Sequence, residues 1–407
     1  MTRVASLRDV VEKSTGTRNP AVQPDDEFTY VDVSAIDNQQ KIINGARSLL
    51  GSEAPSRARK LLRANDVLVS TVRPNLNAVA LVPKELDGQV GSTGFCVLRA
   101  VPSRALPEYL FYFVRSRRFV DALAGLVAGA LYPAVTDSQV LDQELPLPGL
   151  NEQQRIVDLL SRVEGIVRLR RQAQQKAAAL IPAIFVDMFG DPATNPKGWP
   201  RMALGDLIAN GPTNGLYKHK SAYGSGTPIL RIDAFYDGRV TDLAALKRVQ
   251  VAPDEQRRFA LAAGDIIVNR VNSPEYLGKS ALVPDLLEPT VFESNMMRFS
   301  IDALHALPEF VIALLQDPSS RRHFLTNAKH AINQSSINQQ DVKSLTVFVP
   351  PLELQRQFAQ RVAAVLAIEQ QQQAATAKAE ATFSALLARA FAVEDPQEQR
   401  DPERALA

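Results

Sequence analysis

Residues 145–160 read LPLPGLNEQQRIVDLL, and residues 347–362 read VFVPPLELQRQFAQRV. In both, an apolar run closed by proline gives way to a long stretch almost free of glycine and proline. That is the pattern of a strand that ends and a helix that starts. Working outward, other segments match in the same order. Leu7-Arg8-Asp9-Val10 lies over Leu204-Gly205-Asp206-Leu207, and Asn65-Asp66-Val67-Leu68-Val69 over Gly264-Asp265-Ile266-Ile267-Val268. Leu106-Pro107-Glu108-Tyr109-Leu110 lies over Leu307-Pro308-Glu309-Phe310-Val311. The offset drifts only from 197 to 202, as small loop insertions would produce. Collinear matches of this kind predict a tandem duplication of about 200 residues.

Each copy opens with a strand-rich region. Phe28–Val33 and residues 66–71 read as strands in the first copy, and residues 228–232 and 265–269 in the second. Helices follow at Pro107 and Pro308, where proline fits the first turn, and Leu110, Phe113 and Val114 fall at helical spacing. Last strands end at Pro148 and at Pro350-Pro351.

Long helices then begin. Residues 151–180 hold one glycine, Gly165, and no proline, with Asn151 as the expected N-cap and Gln154 completing a capping box. Ile156, Leu159, Val163, Ile166, Arg170, Ala173, Ala177 and Leu180 fall on one seam, and all but Arg170 are apolar, as a coiled coil requires. Phe358, Val365, Ile368, Ala375, Ala379 and Leu386 supply the matching seam after Glu353. Pro182 is expected to end or kink the first helix, with residues 184–189 as a short continuation. A helix of about 30 residues spans roughly 45 Å, against about 34–36 Å for one turn of B-DNA. Antiparallel pairing of two such rods would hold two heads at opposite ends, within reach of a two-part DNA site.

Composition narrows the class. The 407 residues carry 46 Lys+Arg against 44 Asp+Glu, a net charge of +2, with 45% apolar residues. This is ordinary globular composition, unlike collagen, a disulfide scaffold or a disordered chain. A near-neutral sum argues against a protein coating DNA everywhere, but not against a local basic face. Cys96 is the single cysteine, which excludes an internal disulfide and a cysteine-based zinc site and suits a reducing cytoplasm. No apolar run approaches the roughly 20 residues needed to cross a bilayer, and the N-terminus is charged where a signal peptide would be apolar. Catalytic motifs are missing: no GxxxxGK[ST] loop, no GxGxxG loop, and His219, His305, His323 and His330 without HExxH spacing. Asp341-Val342-Lys343 resembles half of a nuclease site but reads as a solvated turn. Trp199 reads as an anchor for the second head. The charged tail after Val393 is expected to be disordered.

The ordered set of motifs, present twice, resembles the specificity (S) subunit of type I restriction–modification systems over about residues 1–392. It departs at Gly149 and Leu354, where the family usually continues Pro-Pro-Leu and Glu-Gln. The resemblance implies an α+β fold: two similar α/β target-recognition domains in pseudo-two-fold arrangement, separated by two long antiparallel helices forming a coiled coil. The expected divisions are recognition domains at 1–150 and 191–350, spacer helices at 151–190 and 351–392, and the tail at 393–407. It also implies that the chain is non-catalytic and cytoplasmic, with no cofactor of its own. Its implied partners are double-stranded DNA, two methyltransferase subunits and motor-nuclease subunits, which use S-adenosylmethionine, ATP and magnesium.

Base and phosphate contacts call for Arg, Lys, Asn, Gln, Ser or Thr on exposed loops. In the first head the candidates are Thr15, Arg18 and Asn19, and the strand exit with Thr71, Arg73, Asn75 and Asn77. In the second they are Lys218, His219, Lys220 and Tyr223, then Arg231, and the equivalent exit with Asn269, Arg270 and Asn272. Lys279, Gln334 and Ser335 complete the set. The candidate contacts differ between heads, which predicts a non-palindromic site. On the residues alone, a nuclease or self-sufficient methyltransferase, a peptide-binding scaffold, and a type IIB-like partner set remain open.

Overall fold

The computed structural model describes residues 3–127, 132–331 and 334–392; the expected tail at 393–407 lies outside them. The chain divides into two compact units, Met1–Arg171 with Ala374–Ala407, and Gln172–Gln373. Each unit therefore joins one head to the start of one long helix and the end of the other.

The heads share a core topology, to which the second head adds strands. In the first, strand Val67–Ser70 is flanked by antiparallel Phe95–Leu98 and Val79–Leu81. In the second, Ile266–Asn269 is flanked by antiparallel Met296–Ile301 and Ser280–Leu282. A second sheet repeats as well. Glu27–Val31 lies between antiparallel Arg47–Leu50 and parallel Val90–Ser92, as Tyr223–Leu230 lies between antiparallel Lys247–Val249 and parallel Val291–Phe292. Opening strands pair with closing strands, Arg3–Ser6 with Glu144–Leu147 and Arg201–Ala203 with Thr346–Phe348. Duplication is thus visible in strand order and in sequence. Helices Pro107–Phe113 and Pro308–Gln316 start at proline, which has no N–H to leave unpaired, and lay Tyr109, Leu110, Phe310 and Val311 into the cores.

The first long helix runs Leu150–Ala178 and the second Leu352–Ala390. Asn151 is not the N-cap: the helix begins one residue earlier, and the Gly149 carbonyl accepts from the N–H groups of Glu152 and Gln153. Gln154 turns instead to Asp158, 2.9 Å away. Gln153, fully buried, anchors the start. Its Oε1 accepts from Leu106 N at 2.9 Å, and its Nε2 donates to Arg104 O at 3.0 Å and Pro148 O at 2.9 Å. Gln355 repeats this, accepting from Leu307 N at 2.9 Å and donating to Pro350 O at 2.8 Å. The anchor sets the rotation at the helix start: Gln153, Val157, Leu160 and Val167 are buried, one residue past the expected Ile156, Leu159 and Ile166, while Ala177 is buried where expected. Leu159, Ile166 and Leu169 are left 48%, 47% and 64% exposed. In the second helix Phe358 and Val365 are buried as expected, while Ile368 faces out. The break before Pro182 falls between Ala178 and Leu180, because the ring removes an N–H and clashes one turn upstream. The continuation is the helix Leu180–Phe189.

Inside the first unit the two helices run antiparallel. Arg171 pairs with Glu380 at 2.6 Å, the Tyr112 ring lies between Glu164 and Phe383, and Val157 and Leu160 share a core with Leu387 and Phe391. Phe391 packs on Tyr109 and Phe113, with ring centroids 5.1 and 5.6 Å apart. In the second unit Phe189 packs on Phe310 at 5.0 Å and on Phe358 at 5.5 Å. Since Phe189 and Phe391 are equivalent residues, each head's core is closed by the helix end belonging to the other copy. Trp199 does anchor the second head: its Nε1 donates to Phe189 O at 2.9 Å.

Removing the ring in Phe189→Ala or Phe391→Ala should cost about 3–5 kcal/mol, the price of emptying a buried aromatic site. Gln153→Ala leaves a buried N–H unpaired and should cost about 1–3 kcal/mol. Urea unfolding of the purified chain measures both, and the ring deletions should be the larger.

Candidate nucleic-acid interface

The turn before each central strand explains the repeated Asn-Asp and Gly-Asp. Asn65 and Gly264 have φ of 68° and 87°, the left-handed region that Asn and Gly tolerate. The following aspartate folds back onto the chain: Asp66 accepts from Arg63 N at 2.8 Å, and Asp265 from Ala262 N at 2.9 Å. Each then meets an arginine, Arg99 just past the neighbouring strand and Arg298 within it. Arg99 grips Asp66 with two bonds of 2.8 and 2.7 Å, and Arg298 approaches Asp265 at 3.4 Å. The looser pair leaves burial dominant, so the Asp265 carboxyl is pushed above its ordinary value.

At the other end of these strands the chain leaves each sheet in the same way. Thr71 N donates to Gly94 O at 2.9 Å and Arg270 N to Asn295 O at 2.8 Å. Val135 N donates to Thr71 O, and Ile337 N to Arg270 O, both at 2.9 Å. A second segment therefore clamps each exit, through the bridge Val72↔Ala134 in one head and the pairing Val271↔Ser336 in the other.

The first exit turns sharply. Arg73 and Asn77 have φ of 50° and 48° and bracket a 3-10 turn, Pro74–Leu76, with Arg73 and Asn75 exposed. Asn77 instead faces inward, donating to Val114 O at 2.8 Å, and Thr71 is buried against Gly94 O. A cleft of about 650 Å³ opens beside this exit, lined mainly by apolar groups such as Val33, Ile36, Val72 and Leu76 with Arg57 and Arg73. Tyr132, 85% exposed, stands at its edge. Thr15, Arg18 and Asn19 lie on a separate loop, where Arg18 donates to Gly88 O at 3.1 Å, Thr15 O accepts from Arg99, and Asn19 is exposed.

The second head places its candidates on two surfaces. At the exit, Asn269 is buried with its amide on Tyr276 O, Asn272 accepts from Ser273 N, and Ser335 is buried on His330 while Gln334 is exposed. Arg270 lines a cleft of about 440 Å³ with Asn214, Asn338, Gln339, Gln340 and Lys343. The other candidates are tied into the fold. Lys218 pairs with Glu255 at 2.7 Å, Arg231 pairs with Glu293 at 3.2 Å over the Tyr223 ring, and His219 bonds Ser221. Lys220 stays exposed. Lys279 donates to Ile232 O at 2.6 Å inside a cage of Phe235, Tyr236 and Tyr276, and burial lowers its pKa. Arg57, Tyr132, Asn214, Gln339, Gln340 and Lys343 also line the two clefts and were not among the sequence candidates. The Asn338-Gln339-Gln340 amide run was the available signal.

Asp341 is committed to the turn, accepting from Asn338 N at 2.7 Å, as a solvated turn and not a nuclease carboxylate would be. Burial pushes the Cys96 thiol up to about 12. Among the described residues no group of three or more His, Cys, Asp or Glu could hold a metal, and no helix is long and apolar enough to cross a membrane.

The family described as type I restriction modification DNA specificity domain matches residues 3–178 and 196–377, one match for each copy. This chain belongs to that family. Within it, the chain is similar to the type I restriction enzyme StySPI specificity subunit of Salmonella potsdam, 25% identical over 70% of this chain and 65% of that protein. It is also similar to the EcoKI specificity subunit of Escherichia coli (strain K12), 24% identical over 73% of this chain and 67% of that one. The chain thus spans about two thirds of the length of these relatives. A solved structure, described as the structural basis of complex assembly and conformational transition of the type I R-M system, is 31% identical. It covers 96% of this chain and 97% of its own with a TM-score of 0.63.

Beside the first exit, Lys41 donates to Asn77 O at 2.5 Å, and burial together with the nearby Arg115 charge lowers it to about 8. The unfolded chain therefore binds more protons than the folded one between about pH 8 and 10.5, and folding gains stability as pH rises through that window. Replacing the charge in Lys41→Met should bring its largest relative gain at pH 7, and that gain should shrink by pH 10. Urea melts at the two pH values check this, and an advantage unchanged with pH would contradict it.

Proposed function

We propose that this chain is the specificity subunit of a type I restriction–modification complex, a non-catalytic protein whose two heads read unlike halves of a bipartite, asymmetric double-stranded DNA site. The observation that carries this reading is the doubled strand exit, held by the same backbone hydrogen bonds in both heads yet bearing different side chains. A fixed scaffold with variable exposed groups is what sequence readout requires, because phosphate contacts position a protein while base-edge contacts specify it. Exposed Arg73 and Asn75 beside an apolar cleft suit one set of base edges; Arg270 beside amides suits another.

The long helices would dock two methyltransferase subunits, which use S-adenosylmethionine, and motor-nuclease subunits, which use ATP and magnesium. Leu159, Ile166 and Leu169 support this, since three large apolar side chains share one exposed face of the first helix.

Methylome mapping of cells with and without the chain tests the proposal. One non-palindromic motif in two blocks separated by unspecified bases should vanish on deletion, and a palindromic or continuous motif would overturn the reading. Binding of the full chain to a duplex carrying that motif should weaken steeply with salt, as released counterions demand.

A further inference from the structure

The polar cleft of the second head differs in composition from the apolar cleft of the first. Its lining is Asn214, Arg270, Asn338, Gln339, Gln340 and Lys343: four amides and two cations, without a carboxylate. The acid next to it, Asp341, is turned away into its own capping box with Asn338. Asn338 in turn uses its Oδ1 on Gln340 N and Asp341 N, at 2.7 and 3.1 Å. Gln339 and Gln340 are exposed. Arg270 is held at its backbone by both clamping bonds and at Nη1 by Ser294 O, 3.2 Å away, while its Nε is buried with no hydrogen-bond partner among the described residues. A buried guanidinium N–H without an acceptor is costly, so the side chain is one acceptor short. The fold thus fixes an underpaired arginine among amides at the point equivalent to the first head's exit.

That set of groups matches one kind of ligand edge. Arginine pairs with the N7 and O6 acceptors of guanine, and Gln or Asn with N7 and the amino group of adenine; a lysine charge suits the adjoining phosphate. A thymine methyl would find apolar partners in the first head's cleft and amides here. We propose that the cleft between Arg270 and Gln339-Gln340 reads a purine edge in the major groove and sets the second half of the site, with Lys343 holding the phosphate. This rests on the function proposed above.

Selection of the full chain on a randomised duplex library, sequenced after binding, tests it. Arg270→Lys keeps the charge but loses the planar fork, and Gln340→Ala removes an exposed amide on which the core does not depend. Each should relax one or two positions in a single half-site, losing about ten- to a hundredfold of purine preference. Arg73→Ala should relax the other half. Lys343→Ala should weaken all sequences alike and lower the salt slope by about 1. A sharp motif left unchanged in both halves by Arg270→Lys and Gln340→Ala overturns the cleft assignment alone, as does relaxation in the half that Arg73→Ala affects. A wild-type chain that enriches no two-part motif overturns the proposed function and this inference with it.

Discussion

The core of each head is closed by a ring that arrives from the other copy of the repeat. Phe391 seals Tyr109 and Phe113 in the first unit, and Phe189 seals Phe310 and Phe358 in the second. Without that ring a head would expose the aromatic side of its own helix, at a cost of several buried side chains. With it, the end of one long helix is held against a head's core while the glutamine anchor holds the start of the other. Two such constraints leave little freedom for either rod to slide or roll. What the sheets present to solvent, and where, follows from this.

The same constraint explains which parts of the architecture were legible in the sequence. Duplication, strand order and the proline-started helices follow from local patterns that any single copy carries. The helix seam was read one residue early because apolar count alone favoured Leu159 and Ile166, whereas rotation is set by a polar residue, Gln153, buried against backbone groups. Further along, the helix half-buries Glu164, which is tied to Tyr112 and Arg115. A hydrophobicity count places such residues outside. Polar groups at seam positions trade some stability for a defined register, since a shifted pairing would strand a charge. Asn151 lost its expected cap role because the helix already begins at Leu150, with the Gly149 carbonyl accepting from Glu152 and Gln153 N.

For the candidate interface, the equivalence of the strand exits was legible because both copies place polar residues at one repeat position. What the sequence lacked was the partner of each side chain. Lys218, Arg231 and Lys279 are all basic and loop-borne, yet a carboxylate or an aromatic cage engages each of them. Gln339, Gln340 and Lys343 lie about 70 residues beyond Arg270 and come beside it only because the clamping segment bonds to the exit. No local pattern contains that contact.

This pairing also reconciles a net charge of +2 with a DNA-reading role. Charge steers and binds according to where it is unneutralised, not according to the sum. Arg99, Arg115, Arg171, Arg231, Arg239, Arg248 and Arg298 all face carboxylates within their own units, so much of the basic content is spent on the fold. Arg73 at the first exit, and Arg270 with Lys343 at the second, have no ion pair among the described residues and line the two clefts. The net charge is therefore no measure of the local field at the two exits, where these cations face the clefts.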